Sequence, residues 1–320
     1  MYFLTDIRLR LRNVEWFYSV ILCIKMVKSR CAIIGSKGFI GRHIEYYLSQ
    51  RHIPCISYDV VDSNESNYHK IDITDVQSVS NIDLSVDFIF LFAGITGTHV
   101  GFDSYHAYNS VNELGLLNIL DAIRKSDYRP KVVFPSTRLV YKGMDKPLKE
   151  IDEKDCKTIY AANKIACEGY LKAYHDSFDI PYTVFRICLP YGNLLSTDYS
   201  FGTVGSFIKQ ARAGNKITLY GGGKMKRTFT HMEDLCKQIV EGAFHSESNG
   251  EVYNIGGETL SLHDAAEIIA RKYGTTVISV PWPERDIKIE SGHTYFDDSK
   301  IQSLLHYMPY KKLKDFTDDL

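Results

Sequence analysis

Hydrophobic and polar positions along this chain fall into two alternating rhythms. Cys31 to Gly35 is a solid apolar run ending in glycine, and Phe39, Ile40, His43, Ile44, Tyr47 and Leu48 then recur at helical spacing. Pro54 to Tyr58 forms a second short run and stops at Asp59. Val86 to Phe92 is almost continuously apolar, as expected of a central strand with both faces covered. Tyr105 to Ile123 predicts a long helix, and Lys131 to Pro135 a strand with Ser136 and Thr137 at its carboxyl end. A helix from about Tyr160 to Tyr174 and a strand from Pro181 to Ile187 complete the series. Strands that alternate with helical stretches predict an α/β fold: a Rossmann-type, doubly wound parallel sheet with helices on both faces.

After about residue 190 the rhythm changes, and glycine and aromatic residues become frequent. Ile217 to Tyr220 is a strand candidate ahead of Gly221-Gly222-Gly223, and Ser261 with Asp264 forms a capping box that opens a helix. Pro281 to Gly292 is polar and proline-bearing and reads as a loop. The expected division is an appendage at 1–25, a dinucleotide-binding domain at 26–189 and a smaller mixed α/β substrate domain at 190–320, with some strand exchange between the last two. The binding crevice is expected between them. In the appendage Arg8, Arg10 and Arg12 precede the apolar run Trp16 to Ile24, which Lys25 ends before it is long enough to span a bilayer.

Composition narrows the class. The chain has 320 residues, 44% of them hydrophobic, enough for a large core. With 38 basic and 39 acidic residues the formal charge is −1, which gives no basic excess for nucleic acid. The seven cysteines form no CxxC pair, and the eleven histidines do not cluster at metal spacings. A disulfide framework and a metal centre are therefore not expected; a reducing, cytoplasmic compartment is.

Gly35, Gly38 and Gly41, with Lys37, Phe39 and Ile40 between them, lie between the first strand and the first helix. Glycine lets the backbone turn tightly, and the helix amino terminus behind it offers free N–H groups to a pyrophosphate. Asp59, at the end of the second strand, can accept bonds from ribose hydroxyls. A 2′-phosphate beside it would be repelled, which favours NAD, although the Lys37 ammonium leaves NADP open. Asp72, next to Ile73, can accept from the adenine amino group or cap a helix. Phe92, Ala93 and Gly94 close a central strand with small residues, against which a cofactor can lie.

Tyr160 and Lys164 stand one helical turn apart on the same face. A lysine there favours the phenolate and reaches towards the nicotinamide ribose, so the phenol can exchange a proton with a substrate hydroxyl. Thr137, at a strand end, can hold the same oxygen. Lys224, Lys226 and Arg227 make a positive patch beside a glycine-rich turn, either a phosphate site or a solvated loop.

In this order the motifs resemble those of the extended short-chain dehydrogenase/reductases, in particular the nucleotide-sugar epimerases and dehydratases, over roughly residues 30 to 310. The resemblance implies that Gly35, Gly38, Gly41, Asp59 and Asp72 hold the cofactor. Asn112 to Gly115 resembles the family's asparagine-to-glycine signature, which adds Asn112 to that set. It implies catalysis by Thr137, Tyr160 and Lys164, and contact of Arg227 with the nucleotide phosphates. The substrate implied is a nucleotide-diphosphate sugar. The partner implied is a second copy of the chain, joined in a four-helix bundle by helices near 105–123 and 160–174. Arg138 and Leu139 stand where a dehydratase carries an Asp-Glu pair, which argues against dehydration. Arg138 is read as a contact to a charged sugar or to the diphosphate. Leu189 stands where the family often has asparagine, so Asn193 is expected to supply that amide contact. Cys188 is read as a small core residue, with a substrate-side acid or base as the alternative.

Two reactions stay open: 4-epimerisation with NAD, and NAD(P)H-dependent reduction of a 4-keto-6-deoxysugar. Outside them stand a non-catalytic dinucleotide-binding protein and an enzyme acting on a steroid, flavonoid or free aldehyde.

Overall fold

The computed structural model describes residues 29–196, 201–306 and 309–320. The expected appendage, residues 1–25, lies outside them. Seven parallel strands build the main sheet: β1 (Cys31–Ile34), β2 (Cys55–Asp59), β3 (Tyr68–Lys70), β4 (Phe88–Leu91), β5 (Lys131–Thr137), β6 (Tyr182–Ile187) and β10 (Glu251–Asn254), in the order β10-β6-β5-β4-β1-β2-β3. Successive side chains of a strand point to opposite faces, and β1 shows the consequence. Cys31 and Ile33 pack with Ile44, Leu48, Leu235 and Ile239 on one side. Ala32 and Ile34 pack with Leu116, Leu120, Cys167 and Leu171 on the other. Burial on both faces is why β1 and β4 read as unbroken apolar runs.

Strand order reverses at β1, which pairs with both β2 and β4. Parallel sheets leave a crevice beyond the carboxyl ends of the strands at such a reversal. β10 comes from beyond residue 250 yet pairs with β6, so the late part of the chain completes the large sheet. Two small sheets stand beside it. One joins β7 (Leu189–Tyr191), β9 (Lys226–His231) and β11 (Glu258–Ser261); the other joins β8 (Ile217–Tyr220) and β12 (Val277–Val280).

Three expected elements differ in detail. The long helix is interrupted: Tyr105–Tyr108 and Gly115–Lys125 are α-helical, and Asn109–Leu114 between them is a π-helical turn. A π-turn re-aims side chains that straight helical spacing would send elsewhere. The helix carrying Tyr160 runs over Ile159–Phe178, with the Thr158 hydroxyl accepting from the Ala161 N–H as its cap. The segment read as a loop from Pro281 contains a short helix, Glu284–Ile289. The Ser261–Asp264 capping box is present.

Candidate active site

The glycine turn is held by backbone contact. Gly35 and Ser36 donate to the Tyr58 carbonyl at 2.8 and 3.1 Å, while Phe92 and Ala93 donate to the Ile34 carbonyl at 2.7 and 2.8 Å. Gly35 has φ +91, and a β-carbon there would lie 2.2 Å from the Ala93 nitrogen; one on Gly41 would lie 2.1 Å from the Gly35 oxygen. Side chains are thus excluded where β1, β4 and the Phe39–Ser49 helix converge. That helix starts at Gly38 with no side-chain cap and no acidic residue in its first turn. Its free N–H groups and positive dipole end suit a pyrophosphate. Among the described residues Ser36 Oγ, in the same turn, is buried without a hydrogen-bond partner.

Two cavities meet over this turn. One, of about 630 Å³, is lined by Gly35, Lys37, Asp59, Asp72, Ile73, Phe92, Ala93 and Gly94. The other, of about 390 Å³, is lined by Gly38, Phe39, Ile40, Gly41, Phe92, Gly94, Thr137, Tyr160, Lys164 and Cys188. They share Gly38, Phe92, Gly94 and Ile95, so one groove runs from Asp59 to Tyr160. Asp59 accepts from the Lys37 N–H at 2.8 Å and ties the turn to the end of β2. The Lys37 ammonium turns away to Glu65 at 2.6 Å. Asp72 accepts from the Thr74 N–H and hydroxyl at 2.9 and 2.8 Å, a local turn, and Asp75 takes the helix-capping role instead.

At the other end, Tyr160 and Lys164 face Thr137. Tyr160 as a residue is partly exposed, but its hydroxyl lies deep in the crevice. Burial and the neighbouring Tyr108 push the phenol above its ordinary value, against a lowering contribution from a hydrogen bond with Thr137. Lys164 donates to the Pro135 carbonyl at 2.7 Å and lies over the Phe134 ring. Burial lowers its ammonium to about 8, opposed by Cys167 and Glu168. The sequence suggests a phenol made acidic by its lysine; in the structure burial dominates both groups. Beneath them Ser136 and Arg186 both bond Glu168, the Ser136 hydroxyl at 2.5 Å and Arg186 Nε at 2.9 Å, and Arg186 also bonds the Tyr141 hydroxyl.

Three expected contacts fall elsewhere. Asn112 lines neither cavity: its amide accepts from the Ile95 N–H at 2.8 Å and donates to the Ile95 carbonyl at 3.0 Å. It fixes the segment after β4. Asn193 faces His43 at 2.9 Å and the Leu195 N–H at 3.0 Å, in a separate hollow of about 750 Å³ with His231 and Phe316, away from Thr137. That hollow is the largest of the three, yet the proton-transfer groups lie outside it. Arg227 belongs to no solvated patch. It is 1% exposed, pairs with Glu290 at 2.7 Å and donates to the Gly292 carbonyl. Glu290 had no motif to mark it.

Arg138 donates to the Thr294 hydroxyl at 2.9 Å. Cys188 donates to the Thr294 carbonyl and accepts from the Thr228 N–H, both at 3.3 Å, and burial raises its thiol. A buried, raised thiol beside the sheet fits a packing residue better than a proton shuttle.

A groove with an uncapped helix terminus at its centre, the Asp59 carboxylate at one end and a Thr-Tyr-Lys set at the other fits a dinucleotide-dependent enzyme of the doubly wound class. The comparison with known sequences gives the family. Residues 31–256 match the model of the NAD dependent epimerase/dehydratase family, and the chain belongs to that family. It is 29% identical over 267 residues to a UDP-N-acetyl-alpha-D-glucosaminuronate decarboxylase of Bacillus cytotoxicus, spanning 76% of this chain and 80% of the relative. It is 25% identical over 301 residues to a UDP-glucuronate 4-epimerase of Thermodesulfobacterium geofontis, spanning 87% and 90%. Among solved structures the fold matches the UDP-glucose 4-epimerase of Thermus thermophilus in complex with NAD at a TM-score of 0.77, with 23% identity over 90% of this chain and 98% of that one.

Proposed function

We propose that this enzyme is an NAD-dependent nucleotide-sugar 4-epimerase that works by transient oxidation at C4. The observation that carries the reading is the shared crevice: Thr137, Tyr160 and Lys164 line the same cavity as the glycine turn, and that cavity opens into the one lined by Asp59. NAD, when bound, supplies the acceptor and donor of hydride. The chain's residues do the rest. The turn through Gly35, Gly38 and Gly41 leaves the first-turn N–H groups of the Phe39–Ser49 helix to meet the pyrophosphate. Asp59 takes the ribose hydroxyls and disfavours a 2′-phosphate; the engagement of Lys37 with Glu65 supports NAD over NADP. Tyr160 removes the proton from the C4 hydroxyl and returns it after the 4-keto sugar has turned over. Thr137 holds the same oxygen, and Lys164 supports the phenolate. The named relatives act on UDP-linked sugars, which supports a nucleotide-diphosphate sugar here.

The division at about residue 190 keeps its functional sense in this reading, with the later residues contributing to the sugar side. A homodimer through the helices near 105–125 and 159–178 is the assembly we favour. Ala162, Gly169 and Ala173 are exposed along the second helix, and a β-carbon on Gly169 would meet nothing within 4 Å. Leu114, 47% exposed, stands on the first. Among the described residues no helix is long and apolar enough to cross a membrane, and the six described cysteines are free thiols, which supports a reducing, cytoplasmic setting.

The test is to purify the protein, assay its bound nucleotide, and follow C4 epimers of NDP-sugars by NMR without added NAD(P)H. Appearance of the epimer, lost by a factor of about 100 or more in Tyr160→Phe with NAD affinity retained, supports the reading. Consumption of NADPH with a 4-keto NDP-sugar, and no epimer, replaces it with the reductase. Tyr160→Phe at full rate ends the proton-transfer role.

A further inference from the structure

Lys37 lies in the glycine turn and is the one basic residue among the described residues that line the cavity of Asp59 and Asp72. Its backbone N–H donates to Asp59 Oδ2 at 2.8 Å, so the root of the side chain sits against the carboxylate read as the ribose acceptor. A 2′-phosphate on a ribose held there would stand beside that root, within the sweep of a flexible four-carbon stem. The ammonium is drawn away instead. Nζ donates to Glu65 Oε2 at 2.6 Å and lies over the Tyr68 ring, 4.9 Å from its centroid. Glu65 does not line the cavity. Both partners are fixed in place: the Tyr68 hydroxyl donates to the Asp59 carbonyl at 3.1 Å and to the Val61 carbonyl, and the Tyr68 N–H donates to the Glu65 carbonyl at 3.3 Å. Asp62, the other carboxylate of this loop, pairs with Lys70 at 2.9 Å, so Glu65 is the one that holds Lys37.

Resting on the reading of this groove as a dinucleotide site, we propose that Glu65 is a selectivity residue for the cofactor: it holds the Lys37 ammonium away from the ribose and so withholds the counter-charge that a 2′-phosphate needs. Such a phosphate brings about two negative charges to the side of Asp59. The Asp59 carboxylate penalises them, but a lysine free to swing in would offset much of that penalty. A bare 2′-hydroxyl needs no cation, so NAD loses nothing when Lys37 is engaged. Selection is thereby divided between Asp59, which faces the ribose, and Glu65, a positioning residue that acts through Lys37 from 28 positions away.

The experiment titrates NADH and NADPH, followed by their fluorescence, into nucleotide-free wild type, Glu65→Gln, Lys37→Gln and the double variant. Glu65 is 59% exposed and glutamine keeps its shape, while Lys37→Gln keeps the backbone N–H on Asp59, so folding is not at stake. Glu65→Gln is expected to tighten NADPH about fivefold, the upper range of an exposed ion pair, and to leave NADH within about twofold. Lys37→Gln is expected to cost NADPH no more than it costs NADH. In the double variant the NADPH gain should vanish, as it must if Glu65 acts through Lys37. No gain in Glu65→Gln overturns the proposal. So does a gain shared by both nucleotides, which would assign Glu65 to the shape of the cavity, or one that survives in the double variant, which would assign it to direct repulsion. A loss specific to NADPH in Lys37→Gln also overturns it, because the ammonium would then already reach the phosphate. The readout is binding, so this selectivity without turnover of any sugar sustains the proposal and sinks the C4 reading alone, whereas binding of neither nucleotide sinks both.

Discussion

Replacing Lys164 by Met should separate stability from function. The ammonium is 5% exposed, and burial lowers it from 10.5 to about 8. At 1.36 kcal/mol per unit, holding the charged form in the fold costs about 3 kcal/mol at neutral pH. Its bond to the Pro135 carbonyl returns about 1.5 to 3 kcal/mol, as a charged donor does. At pH 7 Lys164→Met should therefore fall between neutral and about 2 kcal/mol more stable, while turnover collapses because the phenolate has lost its support. The pH dependence isolates ionisation from the lost bond. Below pH 8 both the folded and unfolded wild-type chains carry the proton, and the full cost stands. Between about 8 and 10.5 the folded chain has released the proton and the unfolded chain still binds it, so wild-type stability rises with pH relative to the variant. The slope approaches about 1.4 kcal/mol per pH unit, and most of the 3 kcal/mol should appear before pH 10. Urea unfolding of both nucleotide-free proteins from pH 7 to 10 measures it. A difference that stays flat across that range refutes the claim that burial controls this lysine.

Gly35→Ala places a β-carbon 2.2 Å from backbone at φ +91, so we expect a loss of more than about 2 kcal/mol, read as a lowered Tm, or failure to accumulate soluble protein. Asp59→Ala frees the Lys37 N–H and removes the ribose acceptor; NAD affinity should fall about tenfold and the preference over NADP should shrink, measured by fluorescence titration with both nucleotides. Glu290→Ala leaves a buried Arg227 unpaired and should destabilise the ligand-free protein by about 3 kcal/mol in urea unfolding, whereas a solvated Arg227 would show almost no change.

Much of the groove was legible because its residues obey local rules. The Gly35-Gly38-Gly41 turn, the carboxylate ending β2 and the Tyr160–Lys164 spacing follow from chain geometry over a few residues, and each lies where that geometry puts it. Long-range pairing was not legible. Nothing near Arg227 announces that a carboxylate 63 positions away covers it. The amide of Asn112 could be placed on its helix, but its engagement with Ile95 depends on the π-turn, and an even 3.6-residue spacing conceals that turn. The clue available was Gly115: a β-carbon there would lie 2.5 Å from Ile73, so the helix packs too closely on the 71–73 segment for a larger residue. Asn193 failed for a similar reason, because the positive φ of Gly192 (+90) turns the chain towards His43 just before it.

The buried polar layer under the site explains how a set drawn from separate elements keeps its geometry. Thr137 ends β5, and Tyr160 and Lys164 lie on a helix that begins more than twenty residues later, so packing of apolar side chains alone would allow them to slide. Glu168, one turn beyond Lys164, takes the Ser136 hydroxyl from β5 and two guanidinium nitrogens of Arg186 from β6. Arg186 passes on to the Tyr141 hydroxyl, which donates to Asn254 on β10 at 2.6 Å. Each bond has a direction, so a shift along the strand that leaves apolar contacts nearly unchanged would break several at once. A buried ion pair seldom adds net stability over a well-packed apolar substitute, and its use here is to fix register. The chain that starts beside Thr137 ends on the strand supplied by the late residues, so the position of the proton-transfer groups depends on that strand being in place.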